Sequence, residues 1–183
     1  LDIRDRLFNR FQRWVISIRD FGIARSAAIF LAEEFDENIS YKLPELRKFR
    51  CYETTLVVSY ARPFAKAEGV VGSLSLKDIG LKSTDEFWPL HVRVLELRNK
   101  LFGHSDAEHV PFRVLYSLLD KARPDAPIIL TRFSDELTLT TSEIQALEAR
   151  MSTFIHLLRK KGYEAAKVFP ERLTQISGEL DAE

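Results

Sequence analysis

A single cysteine, Cys51, stands between Arg50 and Tyr52, so no disulfide can close within the chain and no cysteine pair is available for a zinc or redox motif. That absence predicts a reducing compartment. Long apolar runs are missing too: the longest, Ala27 to Ala32, falls far short of the roughly 20 residues that a spanning helix needs. The opening Asp2, Arg4, Asp5 and Arg6 are too charged for a secretory leader, and together these features predict a cytoplasmic protein with no membrane partner. The seven glycines and seven prolines are scattered singly, and neither a low-complexity linker nor an internal repeat divides the chain. With 45% apolar residues over 183 positions, residues 1–183 have enough material for one packed domain.

Excess charge is absent as well. Lys plus Arg number 27 and Asp plus Glu number 27, which excludes a broad, sequence-independent nucleic-acid binder but leaves room for a small local basic site. No glycine-rich phosphate loop occurs, and Gly72-Ser73 lacks the remainder of a nucleophile elbow. Four histidines without two carboxylates or cysteines at ligand spacing predict neither a metal site nor a cofactor.

What is present is helical periodicity. Ile3, Leu7, Phe11, Trp14, Ile18 and Phe21 recur at steps of three and four, predicting a first helix from about Asp2 to Phe21 that Gly22 interrupts. Ile23, Ala27, Phe30 or Leu31, and Phe35 form a second stripe, ending in the polar turn Asp36-Glu37-Asn38. Pro44 suits the first turn of a third helix, with Leu46, Phe49, Leu56, Tyr60 and Phe64 running on to Gly69. Pro63 should bend or end that helix and leave Arg62 at a distortion. A connector follows, with one short turn at Leu76 to Ile79. The fourth helix is expected to open on a capping box at Ser83 and Glu86, to carry the seam Phe87, Leu90, Val94, Leu97 and Leu101, and to stop at Gly103.

The period then changes. Phe112 to Tyr116, Ile128 to Phe133 and Leu137 to Thr140 are short, β-branched or aromatic, and read as a small β-ribbon. Thr140 with Glu143 opens a last helix through Ile144, Leu147, Met151, Phe154 and Leu158, and residues 170–183 should fray. The expected fold class is therefore all-α: a bundle of about five helices with a β-ribbon insertion before the last long one.

One constellation carries chemistry: Arg98, the polar Asn99, and His104 six residues after the arginine. The spacing alone is weak, because 17 arginines and four histidines produce such a pair by chance, and Arg150 with His156 repeats it. Context separates the two. Arg150 is followed by apolar Met151 within one continuous helix, where six positions turn side chains about 120° apart. Gly103, by contrast, is expected to break the helix and free His104 to swing back toward Arg98, with Asn99 and Lys100 adding polar groups.

The run Leu97-Arg98-Asn99-Lys100-Leu101-Phe102-Gly103-His104-Ser105-Asp106 resembles the Leu-Arg-Asn-Lys-x-x-Ala-His-Ser-Asp signature of HEPN-superfamily proteins of the abortive-infection and toxin branches, with Gly103 where alanine is commoner. Tyr60-Ala61-Arg62-Pro63-Phe64 resembles an upstream element of the same branches. The resemblance implies a HEPN-like helical bundle and a metal-independent endoribonuclease, a toxin or phage-defence effector. It places the catalytic groups Arg98, Asn99 and His104 at a homodimer interface, with Lys100, Arg62 and Tyr60 on the RNA substrate, and it implies a cognate antitoxin as a further partner.

Chemistry agrees with the dimer. Cleavage through the RNA 2′-hydroxyl needs a base, an acid and a cation on the phosphate, and one histidine does not readily hold both protonation states. Two readings stay open beside catalysis. Arg98, Lys100 and His104 also suit simple complementation of a helix C-terminus, and a non-catalytic HEPN-like module would bind RNA or a partner protein with the same surface. Arg62 beside Pro63 suits a structural role as well. Arg6, Arg10 and Arg13, interleaved with Asp2 and Asp5, read as a solvated ridge, and His91 reads as a hydrogen-bonded helix histidine before it reads as a second site group.

Overall fold

The computed structural model describes residues 2–65, 71–102, 112–117, 128–133 and 137–173. Four α-helices dominate: α1 (Ile3–Glu34), α2 (Leu43–Ala61), α3 (Trp88–Leu97) and α4 (Thr141–Ala166). Among the described residues no helix is long and apolar enough to cross a membrane.

The helices expected on either side of Gly22 are one. Glycine costs a helix interior only about 1 kcal/mol against alanine, less than the burial of Phe21, Ala24, Ala28 and Leu31 on either side of it contributes. The helix ends where expected: Phe35 turns extended, and the Asn38 amide donates to Asp36 Oδ1 at 2.9 Å.

Pro44 occupies the first turn of α2, and Pro63 ends that helix early, at Ala61, by turning Arg62–Phe64 into a 3-10 turn. The continuation once expected as far as Gly69 is thereby excluded up to Phe64; residues 66–70 lie outside the described residues. A second 3-10 turn, Leu76–Asp78, falls in the connector. Gly80 follows it at φ +69°, and the Leu81 amide donates back to the Leu76 carbonyl.

The capping box expected at Ser83 and Glu86 does not form. Instead α3 begins at Trp88, with Pro89 in the first turn where a missing N–H costs nothing, and Asp85 Oδ1 accepts the Phe87 amide at 2.9 Å. Thr140 and Glu143 do make their expected reciprocal box at the start of α4, whose stripe of Ile144, Leu147, Met151, Phe154 and Leu158 is wholly buried.

Packing follows these stripes. Helix α1 lies along α4 and α2, and the rings of Phe21, Tyr60, Phe64, Phe87 and Phe154 meet near the middle with centroids 5.5–6.5 Å apart. Residues 170–173, expected to fray, are helical and tied down. Phe169 is buried edge-on against Phe8 and Phe11, and Arg172 and Glu171 pair with Asp5 and Arg4 across to α1. Residues 174–183 lie outside the described residues.

Between α3 and α4, β1 (Phe112–Ser117) and β2 (Ile128–Phe133) pair antiparallel, Phe112 opposite Phe133. Leu137–Thr140, expected as strand, is not one, because its amides are engaged elsewhere. Glu53 Oε1 accepts the N–H groups of Thr138 and Leu139 at 2.6 and 2.7 Å, while Glu53 Oε2 accepts from Arg50. Arg50 also donates to Thr138 Oγ1, and Arg93 to the Thr138 carbonyl.

Glu53 has no exposed surface. Burial pushes its carboxyl above the ordinary range, against the opposing pull of Arg50 and the two amides. Removing the carboxylate would leave two amide donors unsatisfied in the interior and take its ion-pair partner from Arg50. Glu53→Ala is therefore expected to cost about 3 kcal/mol or more of unfolding free energy, and Glu53→Gln, which keeps an acceptor for the amides, distinctly less. Urea denaturation of the three proteins measures the order, and equal midpoints would refute the role of this carboxylate.

Candidate functional site

Helix α3 runs antiparallel to α2: Tyr60 sits beside Phe87 and His91, while Glu53 and Arg93 grip the same residue, Thr138. At Arg98 the α-helical winding gives way to a π turn, Arg98–Phe102. The helix was expected to continue regularly to Gly103, so its departure comes five residues sooner. A π turn takes an additional residue into each hydrogen-bonded ring, rotates the side chains that follow, and is frequent at functional sites.

Three candidate residues sit on this turn. Arg98 is half-buried, Asn99 and Lys100 are exposed, and Arg98 Nη1 donates to Asn99 Oδ1 at 2.9 Å. Asn99 thus fixes one edge of the guanidinium fork. His104, with Gly103, lies outside the described residues, as does His109.

Tyr60 and Arg62 do not join this group within one protomer. His91, the partner of Tyr60, is seven residues before Arg98, which is about 10 Å along the helix. Arg62 lies further still in that direction, past the end of α2. Its side chain is exposed and its nearest carboxylate oxygen, on Asp20, is 3.9 Å away. Burial raises the Asp20 carboxyl, with Arg62, Arg13 and Arg19 opposing.

Tyr60 was expected to touch substrate; it is instead sealed from solvent, 0% exposed, with its hydroxyl 2.9 Å from His91 Nδ1. Its aromatic neighbours Phe21, Phe64 and Phe87 leave no face for a ligand. Burial pushes its phenol far up, so the group stays protonated, and burial likewise keeps the imidazole it is bonded to neutral. The helix-histidine reading of His91 therefore holds.

The basic ridge on α1 is solvated in part, as expected: Arg6 and Arg10 are exposed, and Arg13 is buried. Arg10 lies 5.3 Å over the Trp14 ring and donates to Asp78 Oδ1 at 2.5 Å. Buried Arg13 has its Nε without a hydrogen-bond partner among the described residues. Arg150, half of the repeated arginine and histidine spacing, bonds Asp85 Oδ1 at 2.5 Å and stacks over Phe87, a structural tie between α4 and the start of α3.

Besides Asp20, two buried acids among the described residues, Glu53 and Asp78, escaped notice in the sequence. Glu53 falls in the gap of the α2 stripe between Phe49 and Leu56, four residues from one and three from the other, which was the available signal. Asp78 gave none: from the short turn Leu76–Asp78 it accepts from Trp14 Nε1 at 2.9 Å, from Arg10, and from Lys161 at 3.3 Å. Burial opposes its ionisation, yet these donors together hold its carboxyl below the ordinary range.

Among the described residues no group of three His, Cys, Asp or Glu side chains is placed to hold a metal ion. No family model, curated protein or solved structure matches the chain.

The His91 environment has a measurable consequence. Burial lowers its pKa from 6.5 to about 4. A depressed folded value means that stability is fully present above the unfolded value near 6.5 and is lost as pH falls through about 4. The lowering amounts to about 3 kcal/mol, at roughly 1.4 kcal/mol per pH unit. Urea midpoints measured from pH 7 to pH 4 should fall accordingly, and His91→Phe should flatten the dependence between pH 6.5 and 4 while lowering stability at pH 7, because the Tyr60 hydroxyl is left unpaired. A dependence as steep in the variant would assign it to other groups.

Proposed function

We propose that this chain is a HEPN-type helical domain with a β-ribbon insertion between α3 and α4, and that it is a metal-independent endoribonuclease. The observation that carries the reading is the π turn itself. Arg98 stands there with Asn99 as its single hydrogen-bonding partner among the described residues, which leaves the remaining edge of its planar fork for a phosphate.

In the proposed reaction two chains meet about a two-fold axis and contribute an Arg98 and a His104 each. One neutral His104 takes the proton of the RNA 2′-hydroxyl as its oxygen attacks phosphorus. The partner's His104, as imidazolium, gives a proton to the leaving 5′-oxygen, so the products are a 2′,3′-cyclic phosphate and a free 5′-hydroxyl. The two arginines balance the charge that gathers on the equatorial oxygens, Asn99 holds the guanidinium edge, and exposed Lys100 meets a neighbouring phosphate. A basic group on one helix end suffices for this, so the neutral overall composition is no obstacle.

Tyr60 and His91 contribute by position. Their hydrogen bond fixes α3 against α2 two turns before Arg98.

The test incubates purified protein with RNA in excess chelator and compares it with Arg98→Ala, His104→Ala and Asn99→Ala. Cleavage should fall at least 100-fold in the first two, the scale expected for loss of a general acid-base group or a phosphate clamp, and less in the third. Products should carry cyclic phosphate ends. Undiminished cleavage in both Arg98→Ala and His104→Ala would refute the site. RNA that is bound but never cut by the wild type would identify a binding module instead.

A further inference from the structure

We propose that the outward arc of α1 is a self-association surface on which a second copy of this chain docks antiparallel, α1 against α1. This goes beyond the catalytic reading and does not depend on it.

The buried residues of α1, among them Trp14, Phe21, Ala24, Ala28 and Leu31, face α2 and α4. The opposite side is not the polar face that such a helix ordinarily shows to water. Val15, Ile16, Ile23 and Phe30 are exposed there at 48%, 43%, 38% and 45%, the Phe30 ring having Tyr52 of α2 as a neighbour at 5.5 Å. At ~100° per residue they fall, with Arg19, Gly22, Ser26 and Glu33, within an arc of about 120°. Ile16, Ile23 and Phe30 repeat every seven residues, and Arg19, Ser26 and Glu33 each follow three later. Ile16, Ile23 and Phe30 thus give one apolar row at heptad spacing, with the polar row Arg19, Ser26 and Glu33 beside it.

Charge identifies the occupant. Arg19 and Glu33 are exposed and make no ion pair or hydrogen bond among the described residues, unlike Arg25 on the flank, which pairs with Glu148 of α4. They lie symmetrically about Ser26. A two-fold axis through Ser26 therefore sets Arg19 of each copy against Glu33 of the other, whereas a parallel arrangement would oppose like charges.

Shape agrees with the same axis. Phe30 and Gly22 are also symmetric about Ser26, so the Phe30 ring of one copy meets Gly22 of the other, and a Cβ built at Gly22 has no atom within 4 Å. Gly22 thus offers the ring open space where another residue would set a side chain. Gly22, which does not break α1, is accounted for by close helix approach.

Because α3 packs on α2 and, through Phe87 and Asp85, on α4, the side that α1 buries, this pairing leaves the Arg98 turn uncovered. It is separate from the two-fold that cleavage requires.

Sedimentation velocity on the full chain at rising concentration, from about 1 to 100 µM, tests the proposal. The wild type should assemble, and Ile23→Glu and Phe30→Glu, both at exposed positions, should keep their circular dichroism and halve the mass of the assembled species. Arg19→Glu alone should weaken association roughly three- to tenfold, more at low salt, and Arg19→Glu with Glu33→Arg should restore it. A wild type that stays monomeric throughout overturns the proposal. So does an assembly whose mass Ile23→Glu leaves unchanged, the result expected if chains met only at the Arg98 end, and so does a double variant no better than the single one. None of these results bears on RNA cleavage by Arg98 and His104, which the chelator assay reads separately.

Discussion

A carboxylate removed from water costs several kcal/mol unless every lone pair finds a donor in the interior, and the architecture around Glu53 is arranged by that requirement. One oxygen takes two successive backbone amides, Thr138 and Leu139, and the other takes the Arg50 guanidinium. Those amides can then serve no strand. The chain must arrive at α4 in this one place, where Arg93 of α3 takes the Thr138 carbonyl and Glu143 takes Arg93 at 3.0 Å. Helices α2 and α3 are thus joined through Thr138, and Arg93 ties α3 on to α4.

Asp78 solves the same problem at the other end of the bundle. A three-residue 3-10 turn is too short to bury much surface, but its terminal carboxylate collects Trp14 and Arg10 from α1 and Lys161 from α4. Polar contacts of this kind are less a source of net stability than a means of choosing one packing among several of similar hydrophobic content, since an alternative register would leave a buried charge without donors. The aromatic centre alone, rich in Phe, imposes no such selection.

The balance between what sequence shows and what it hides follows from this. Apolar stripes report directly on burial, so the inward face of α4 was legible residue by residue from Ile144 to Leu158, and Pro63 announced the end of α2 because its effect is local. Gly22 misled for the opposite reason: a local cost of about 1 kcal/mol is decided by packing on both sides, which no window around the glycine contains. Leu137–Thr140 has the residues of a strand, and only a glutamate 85 positions away assigns its amides elsewhere. Tyr60 drew attention as a polar aromatic in a motif, yet its hydroxyl is satisfied by His91, and a side chain so paired belongs to the core.

The separation of Arg62 from Arg98 bears on how a site could be assembled here. The two arginines stand at opposite ends of the antiparallel α2–α3 pair, so one short substrate group cannot meet both within a protomer. What distinguishes the Arg98 end is that its backbone leaves the α-helix before the glycine, so that Arg98, Asn99 and Lys100 are set by the π turn while α3 behind them is held by the Tyr60–His91 bond and the Arg93–Thr138 bond. A turn of altered winding on a fixed helix can aim a guanidinium reproducibly, whereas Arg62, exposed at the start of a 3-10 turn, is engaged by Asp20 at 3.9 Å.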